Sequence, residues 1–100
     1  MERIFDWDPK KNARNKRDHD NVSFEEAMEI FQDPLQLNIL DTRYDYGEER
    51  WRALGSTKNG RILLVAYVYV IIDGVEADGI RIISARKATK SEKRTYETQA

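Results

Sequence analysis

Apolar residues fall into distinct rhythms along this chain, and each rhythm predicts an element. The densest stretch is Arg61–Ala88, where two runs, Arg61–Ile72 and Gly79–Ala85, are rich in Val, Ile, Leu and Tyr. Such residues pack well on a pleated surface, so both runs read as strands. The intervening DGVEAD, with Gly74 and Gly79 at the breaks, predicts a medium-length hairpin loop. Leu63, Val65, Tyr67, Tyr69 and Ile71 alternate with Ile62, Leu64, Ala66, Val68 and Val70. A strand apolar on both faces belongs in the middle of a sheet with at least one face covered by helices. The second strand carries Arg81 and ends in Arg86 and Lys87. It is therefore a buried strand that aims positive charge.

Elsewhere the pattern is weaker but legible. Arg3–Trp7 predicts a short strand with Phe5 and Trp7 on one face. Asp8-Pro9 supplies an N-cap and first helical residue for a helix over Pro9–His19. Ala13 is the only apolar residue of that helix, which predicts a surface position with Lys and Arg stems over a sheet edge. Ser23 and Glu26 have capping-box spacing, Val22 can staple to Ala27, and Phe24, Ala27, Met28 and Phe31 share one helical face. Pro34 stops this helix at Asp33. Gln36–Asp41, with Leu37 and Ile39 inward, and Arg50–Ser56 predict two more strands around the polar loop Thr42–Glu49. Lys58-Asn59-Gly60 turns into the central strand. Thr89 and Glu92 repeat the capping-box spacing before a last helix, Lys90–Glu97. The order β–α–α–β–β–β–β–α makes a single α+β domain over residues 1–100, with a twisted, mostly antiparallel β-sheet packed by two N-terminal helices and a C-terminal helix.

Composition narrows the function. The net charge of −1 hides a segregation: residues 24–49 hold eight acids and one base, whereas residues 81–100 hold six bases and two acids. The basic end suits an anionic ligand, and the acidic middle argues against wrapping long nucleic acid. With no cysteine there is no thiolate metal site, and one histidine, His19, excludes a multi-histidine metal site. No apolar run suggests a signal peptide or a membrane helix, so the chain reads as cytoplasmic. No phosphate-binding glycine loop or nucleophile motif occurs. What remains is arginine presented from strands at Arg50, Arg52, Arg81 and Arg86, with Lys87 adjacent. Arginine offers a rigid fork of donors suited to phosphate. The competing reading pairs Arg81 and Arg86 with the acidic loop Asp41–Glu49 as a purely structural network.

Four separate pieces add a resemblance: F-x-W-D-x-x-K at Phe5–Lys11, His19 followed by V-S-F-E-E-A ending at Ala27, E-E-R-W at Glu48–Trp51, and I-R-I-I-S-A-R-K-A at Ile80–Ala88. In this order they resemble the BrnT family of bacterial toxins. The resemblance implies a RelE-like fold and a metal-independent endoribonuclease that needs no cofactor, in which the substrate's 2′-hydroxyl attacks the neighbouring phosphate. It also implies an antitoxin of BrnA type, carrying a ribbon-helix-helix domain, that covers the basic cleft in a heterotetramer and supplies operator-DNA recognition. On this sequence it points to Arg81 and Arg86 for phosphate and transition-state charge, and to Lys11 and His19 for proton transfer or positioning. Trp51, Tyr67, Arg50 and Lys87 would contact substrate. The chain departs from the family pattern at two places. It reads DHDNV where a tighter H-G-V is the pattern, and Tyr67 stands where a histidine is common. These departures predict a weakened or differently tuned nuclease. The alternative function is a non-catalytic interaction protein, a degenerate toxin acting as co-repressor with a DNA-binding antitoxin.

Overall fold

A computed structural model of the chain describes residues 3–43, 45–72 and 75–99. Five strands form one sheet: β1 Arg3–Asp6, β2 Leu37–Leu40, β3 Trp51–Ser56, β4 Ile62–Ile72 and β5 Val75–Lys87. Their spatial order is β1-β5-β4-β3-β2, so the doubly apolar β4 is central, as its pattern requires. All neighbours are antiparallel except β1, which runs parallel to β5. The result is an α+β fold with a mostly antiparallel sheet.

β4 matches its apolar run, whereas β5 is longer than its own. Ile72 pairs with Val75, so the expected DGVEAD loop is in fact mostly strand. Asp73 and Gly74, at its start, lie outside the described residues. A register shift between Ala66 and Tyr67 displaces β5 by one residue and increases the local twist. At the turn into β4, the Gly60 amide donates to the Thr57 carbonyl, and Gly60 takes the left-handed conformation (φ 84°).

One face of the sheet is covered by α2 (Phe24–Met28) and the 3₁₀ segment Glu29–Gln32 that continues it. Val22, Phe24, Ala27, Ile30 and Phe31 pack there against Ala53, Leu63, Val65, Tyr67, Ile80, Ile82 and Ala85. The tightening to 3₁₀ geometry brings Ile30 into the core alongside Phe31. Gly55 lets that segment approach β3, because a Cβ there would meet the Cβ of Ile30 at 3.0 Å. Ser23 accepts from the Glu26 amide at 3.0 Å, but the Glu26 carboxylate binds the Arg61 guanidinium. The expected reciprocal capping box is thus half realised. In α3 (Lys90–Glu97) both halves are present, between Thr89 and Glu92.

One expectation about exposure fails at the sheet edges. Ile39, expected inward, is 54% exposed, because β2 is an edge strand with no helix over that row. Helix α1 (Pro9–Asp18) lies on the surface, with Lys11 and Arg14 beside Ile83 and Ser84 of β5, but its buried anchor is a polar residue. Its buried Asn15 donates to the carbonyls of Ala85 (2.7 Å) and Val22 (2.9 Å) and accepts from the Ala85 amide (3.1 Å). β1 pairs with β5 only as far as Arg81, so beyond that point Asn15 takes the place of the missing strand. Among the described residues, no helix is long and apolar enough to cross a membrane.

The DHDNV departure has a conformational meaning. Asp20 (φ 51°) and Asn21 (φ 61°) are both left-handed, and the Asn21 amide donates to the Lys16 carbonyl across the end of α1. Asp and Asn tolerate this conformation better than other side-chain-bearing residues, and glycine adopts it freely. Asn21→Gly is therefore expected to raise stability by about 0.5–1 kcal/mol, read as a higher urea midpoint with an unchanged slope.

Candidate active site

The sheet face opposite α2 carries two cross-strand rows that set the chemistry. Arg52 pairs with Ala66, which pairs with Ser84; Leu54 pairs with Leu64, which pairs with Arg86. Paired residues project to the same face, so these six side chains share it. Ala66 and Ser84 are small in strands otherwise dominated by Val, Ile and Leu, and they leave a floor with room above it. The outcome is a depression of about 220 Å³ lined by His19, Arg43, Arg52, Leu64, Ala66, Ser84, Ala85 and Arg86. A second of about 220 Å³ shares His19 and Ser84 with it and adds Lys11, Arg14 and Asp18. The two make one groove beside the C-terminal end of α1.

Among the described residues no carboxylate lines the first depression, while three guanidiniums do. They differ in how they are held. Arg43 binds Asp41 through two bonds of 3.0 Å, and that contact, together with the Tyr46 hydroxyl, holds the Asp41 carboxyl far below the usual carboxylate range. Arg86 binds Glu92 through bonds of 2.8 and 3.0 Å. The Nε of Arg52 is buried with no hydrogen-bond partner among the described residues. A buried donor left unmet costs stability, which makes this Nε a candidate to meet a ligand oxygen.

Glu92 couples the site to α3. One of its oxygens also accepts from the Thr89 amide at 2.8 Å, so the carboxylate that completes the helix cap also fixes Arg86. The Arg86 contact chiefly, with the Thr89 amide, lowers the Glu92 pKa to about 2 from 4.5. A carboxylate depressed in the folded state contributes stability above its unfolded pKa and loses it as pH falls. Glu92→Gln should therefore flatten the acid limb of a thermal-stability profile between about pH 4.5 and about pH 2. An unchanged limb would place the acid sensitivity elsewhere.

The sequence candidates are distributed unevenly. His19 and Arg86 meet at the first depression, and Lys11 joins His19 at the second. Arg81 is exposed and bound to Asp6 on the neighbouring strand at 3.0 and 3.1 Å, and it lines neither depression. Lys87 lines a different depression, with Arg61 and Lys93. The guanidinium of Arg50 sits 4.3 Å from the centre of the Tyr46 ring and 3.4 Å from Glu48. Trp51 and Tyr67 are on the helix-covered face. Tyr67 is fully buried, donates to Asn38 at 2.6 Å, and burial raises its pKa well above that of an ordinary phenol. Trp51 packs edge-on against Tyr69 with centroids 5.9 Å apart. The acidic loop engages Arg43 and Arg50, while Arg81 and Arg86 take Asp6 and Glu92. The structural network expected between that loop and Arg81 and Arg86 is therefore formed with other partners.

Arg43 and Ser84 were absent from the site expected from sequence, and Arg52 was named only among the strand arginines, without a role in the site. Arg52 and Ser84 left a signal, because small residues on adjacent strands at one register mark a hollow above which a facing arginine is accessible. Arg43 left none, since only the folding of its loop brings it to the groove.

Comparisons with known proteins bear on the family and the fold. Residues 7–92 match the family described as "Ribonuclease toxin, BrnT, of type II toxin-antitoxin system". The structure is similar to the crystal structure of the Brucella abortus ribonuclease toxin BrnT, with a TM-score of 0.62 and 21% identity. The alignment covers 90% of this chain and 100% of that one. At that identity the likeness speaks for the fold. Among curated proteins no sequence match was found. The family pattern runs from Trp7 to Glu92 and so includes the whole groove together with the carboxylate that fixes Arg86; the chain belongs to the BrnT family of ribonuclease toxins of type II toxin–antitoxin systems.

Proposed function

We propose that this protein is the toxin of such a pair and cleaves RNA at the groove beside the C-terminal end of α1, in a RelE-like manner. The observation that carries the reading is the buried, unpartnered Nε of Arg52 in a depression lined by cations and by His19. The substrate's 2′-oxygen attacks phosphorus, and the bond from phosphorus to the 5′-oxygen breaks. The products are a 2′,3′-cyclic phosphate and a 5′-hydroxyl. The 2′-hydroxyl proton must be removed and the leaving oxygen must receive one. Imidazole can do either near neutral pH, which assigns His19 to proton transfer, with Lys11 as its neighbour in the groove. Arg52 and Arg86, with Arg43 alongside, hold the charge that grows on the phosphoryl oxygens. Guanidiniums supply the electrostatic stabilisation that a metal ion supplies in other nucleases, so the reaction is metal-independent. The partner is a protein antitoxin of BrnA type, whose ribbon-helix-helix domain brings the heterotetramer to operator DNA and which covers the groove.

A second reading, a non-catalytic co-repressor, draws on the bidentate carboxylate partners of Arg81 and Arg86. One experiment separates the two. Purified protein is incubated with free RNA in EDTA, beside His19→Ala and Arg81→Ala. Cleavage that survives EDTA and disappears in His19→Ala supports the nuclease at this groove. Loss confined to Arg81→Ala moves the site towards β1. Absence of cleavage by the unaltered protein, on free RNA and on translating ribosomes alike, favours the co-repressor.

A further inference from the structure

The end of β5 separates the groove from another basic hollow that the reaction does not use. This hollow, of about 290 Å³, is lined by Asn59, Gly60, Arg61, Ile62, Lys87, Ala88 and Lys93. It lies where the turn before β4, the last residues of β5 and the first turns of α3 come together. Arg86 and Lys87 are consecutive on one strand and so project to opposite faces. Arg86 opens into the groove with His19, and Lys87 opens into this second hollow.

No acidic residue among those described lines the hollow. Of its three cations, Arg61 is bound by Glu26, whereas no carboxylate pairs with Lys87 or Lys93 among the described residues. Two unpaired ammonium groups facing one concave surface repel each other, and a phosphate between them relieves that repulsion. Lysine ammoniums are point charges without the directed fork of arginine, so they suit the backbone of a polymer in no fixed orientation. The groove, by contrast, offers oriented guanidiniums for one phosphate. We propose that the Lys87–Lys93 hollow is a second phosphate subsite, which holds the backbone of single-stranded RNA away from the scissile bond as the strand passes over the end of β5. This rests on the nuclease reading for the identity of the polymer.

The test uses the full chain and non-cleavable 2′-O-methyl RNA, a dinucleotide and a decanucleotide, with affinity followed by fluorescence anisotropy over a range of KCl concentrations. In Lys87→Ala/Lys93→Ala, the advantage of the decanucleotide over the dinucleotide should shrink roughly tenfold. The logarithmic salt slope for the decanucleotide should fall by about 1.4, as expected for two lost phosphate contacts on a single strand. Lys87→Arg/Lys93→Arg should keep both. An unchanged slope in the alanine variant overturns the proposal. So does equal weakening of the two oligonucleotides, which would place these lysines at the reacting phosphate. Inorganic phosphate alone is the further arm: amide shifts at Lys87 and Lys93 that saturate at low phosphate would make the hollow a site for the free ion and overturn the polymer assignment. If the unaltered protein cleaves no RNA while the length-dependent binding still needs both lysines, the nuclease reading fails and the subsite stands.

Discussion

Replacing Arg52 with methionine is expected to lower kcat/KM for RNA cleavage by a factor on the order of 10²–10³ while leaving thermal stability unchanged or slightly raised. The two effects have opposite signs for one reason. In the unliganded protein the Nε of Arg52 is buried without a partner, so the fold bears the cost of a donor removed from water and left unmet. Methionine keeps most of the side-chain volume over the Ala66–Ser84 floor and removes that cost. In the transition state the same donor meets a phosphoryl oxygen whose charge is rising, and the bond is then worth most. Arg52→Lys should recover only part of the rate, because an ammonium restores the charge without the planar fork. Steady-state cleavage beside thermal melts of the three proteins tests this. A rate within threefold of the unaltered protein, or a large loss of stability, would remove Arg52 from the phosphate site and make it a structural residue.

How much of this could be read from residue order depends on what each feature rests upon. The central position of β4 followed from Leu63–Ile71 and Ile62–Val70 both being apolar, and the cap of α3 followed from the spacing of Thr89 and Glu92, since both are local. The exposure of Ile39 was not legible, because the apolar alternation of β2 says nothing about which edge of the sheet it occupies. The site was legible only in part. Arg86 and His19 were identifiable by residue type, but their meeting depends on where α1 ends against β5. Arg81 looked equivalent to Arg86 in sequence, yet the parallel pairing of β1 places Asp6 beside it, and a parallel neighbour seventy-five residues away leaves no local trace. The turn after α1 is carried by the left-handed pair Asp20-Asn21, residue types that tolerate this conformation where glycine is absent.

Asn15→Ala should be the most damaging single substitution outside the apolar core, at about 2–4 kcal/mol of stability, with the Tm of this small domain falling by roughly 10–20 °C. Helix α1 has no apolar stripe; its one apolar residue, Ala13, is exposed. Its attachment rests instead on asparagines at i and i+3, which share a face. Asn12 accepts from the Phe24 amide at 2.8 Å and donates to Glu25 at 2.7 Å, which joins α1 to the start of α2. Asn15 meets both backbone groups of Ala85 and the carbonyl of Val22, all buried, and alanine would leave the three without partners. Asn15→Asp should be at least as harmful, because a carboxylate can accept from the Ala85 amide but cannot donate to either carbonyl. The damage should reach the chemistry as well. The His19 amide is bonded to the Asn15 carbonyl at 2.9 Å, and α1 ends at His19 over the groove, so an α1 freed from β5 no longer holds the imidazole above Ser84 and Arg86. Cleavage assayed well below the lowered Tm should therefore fall in kcat more than in KM, and hydrogen exchange should show protection lost across Pro9–Asp18 ahead of the sheet. Full activity at that temperature with α1 still protected would mean that the helix is held by something other than Asn15.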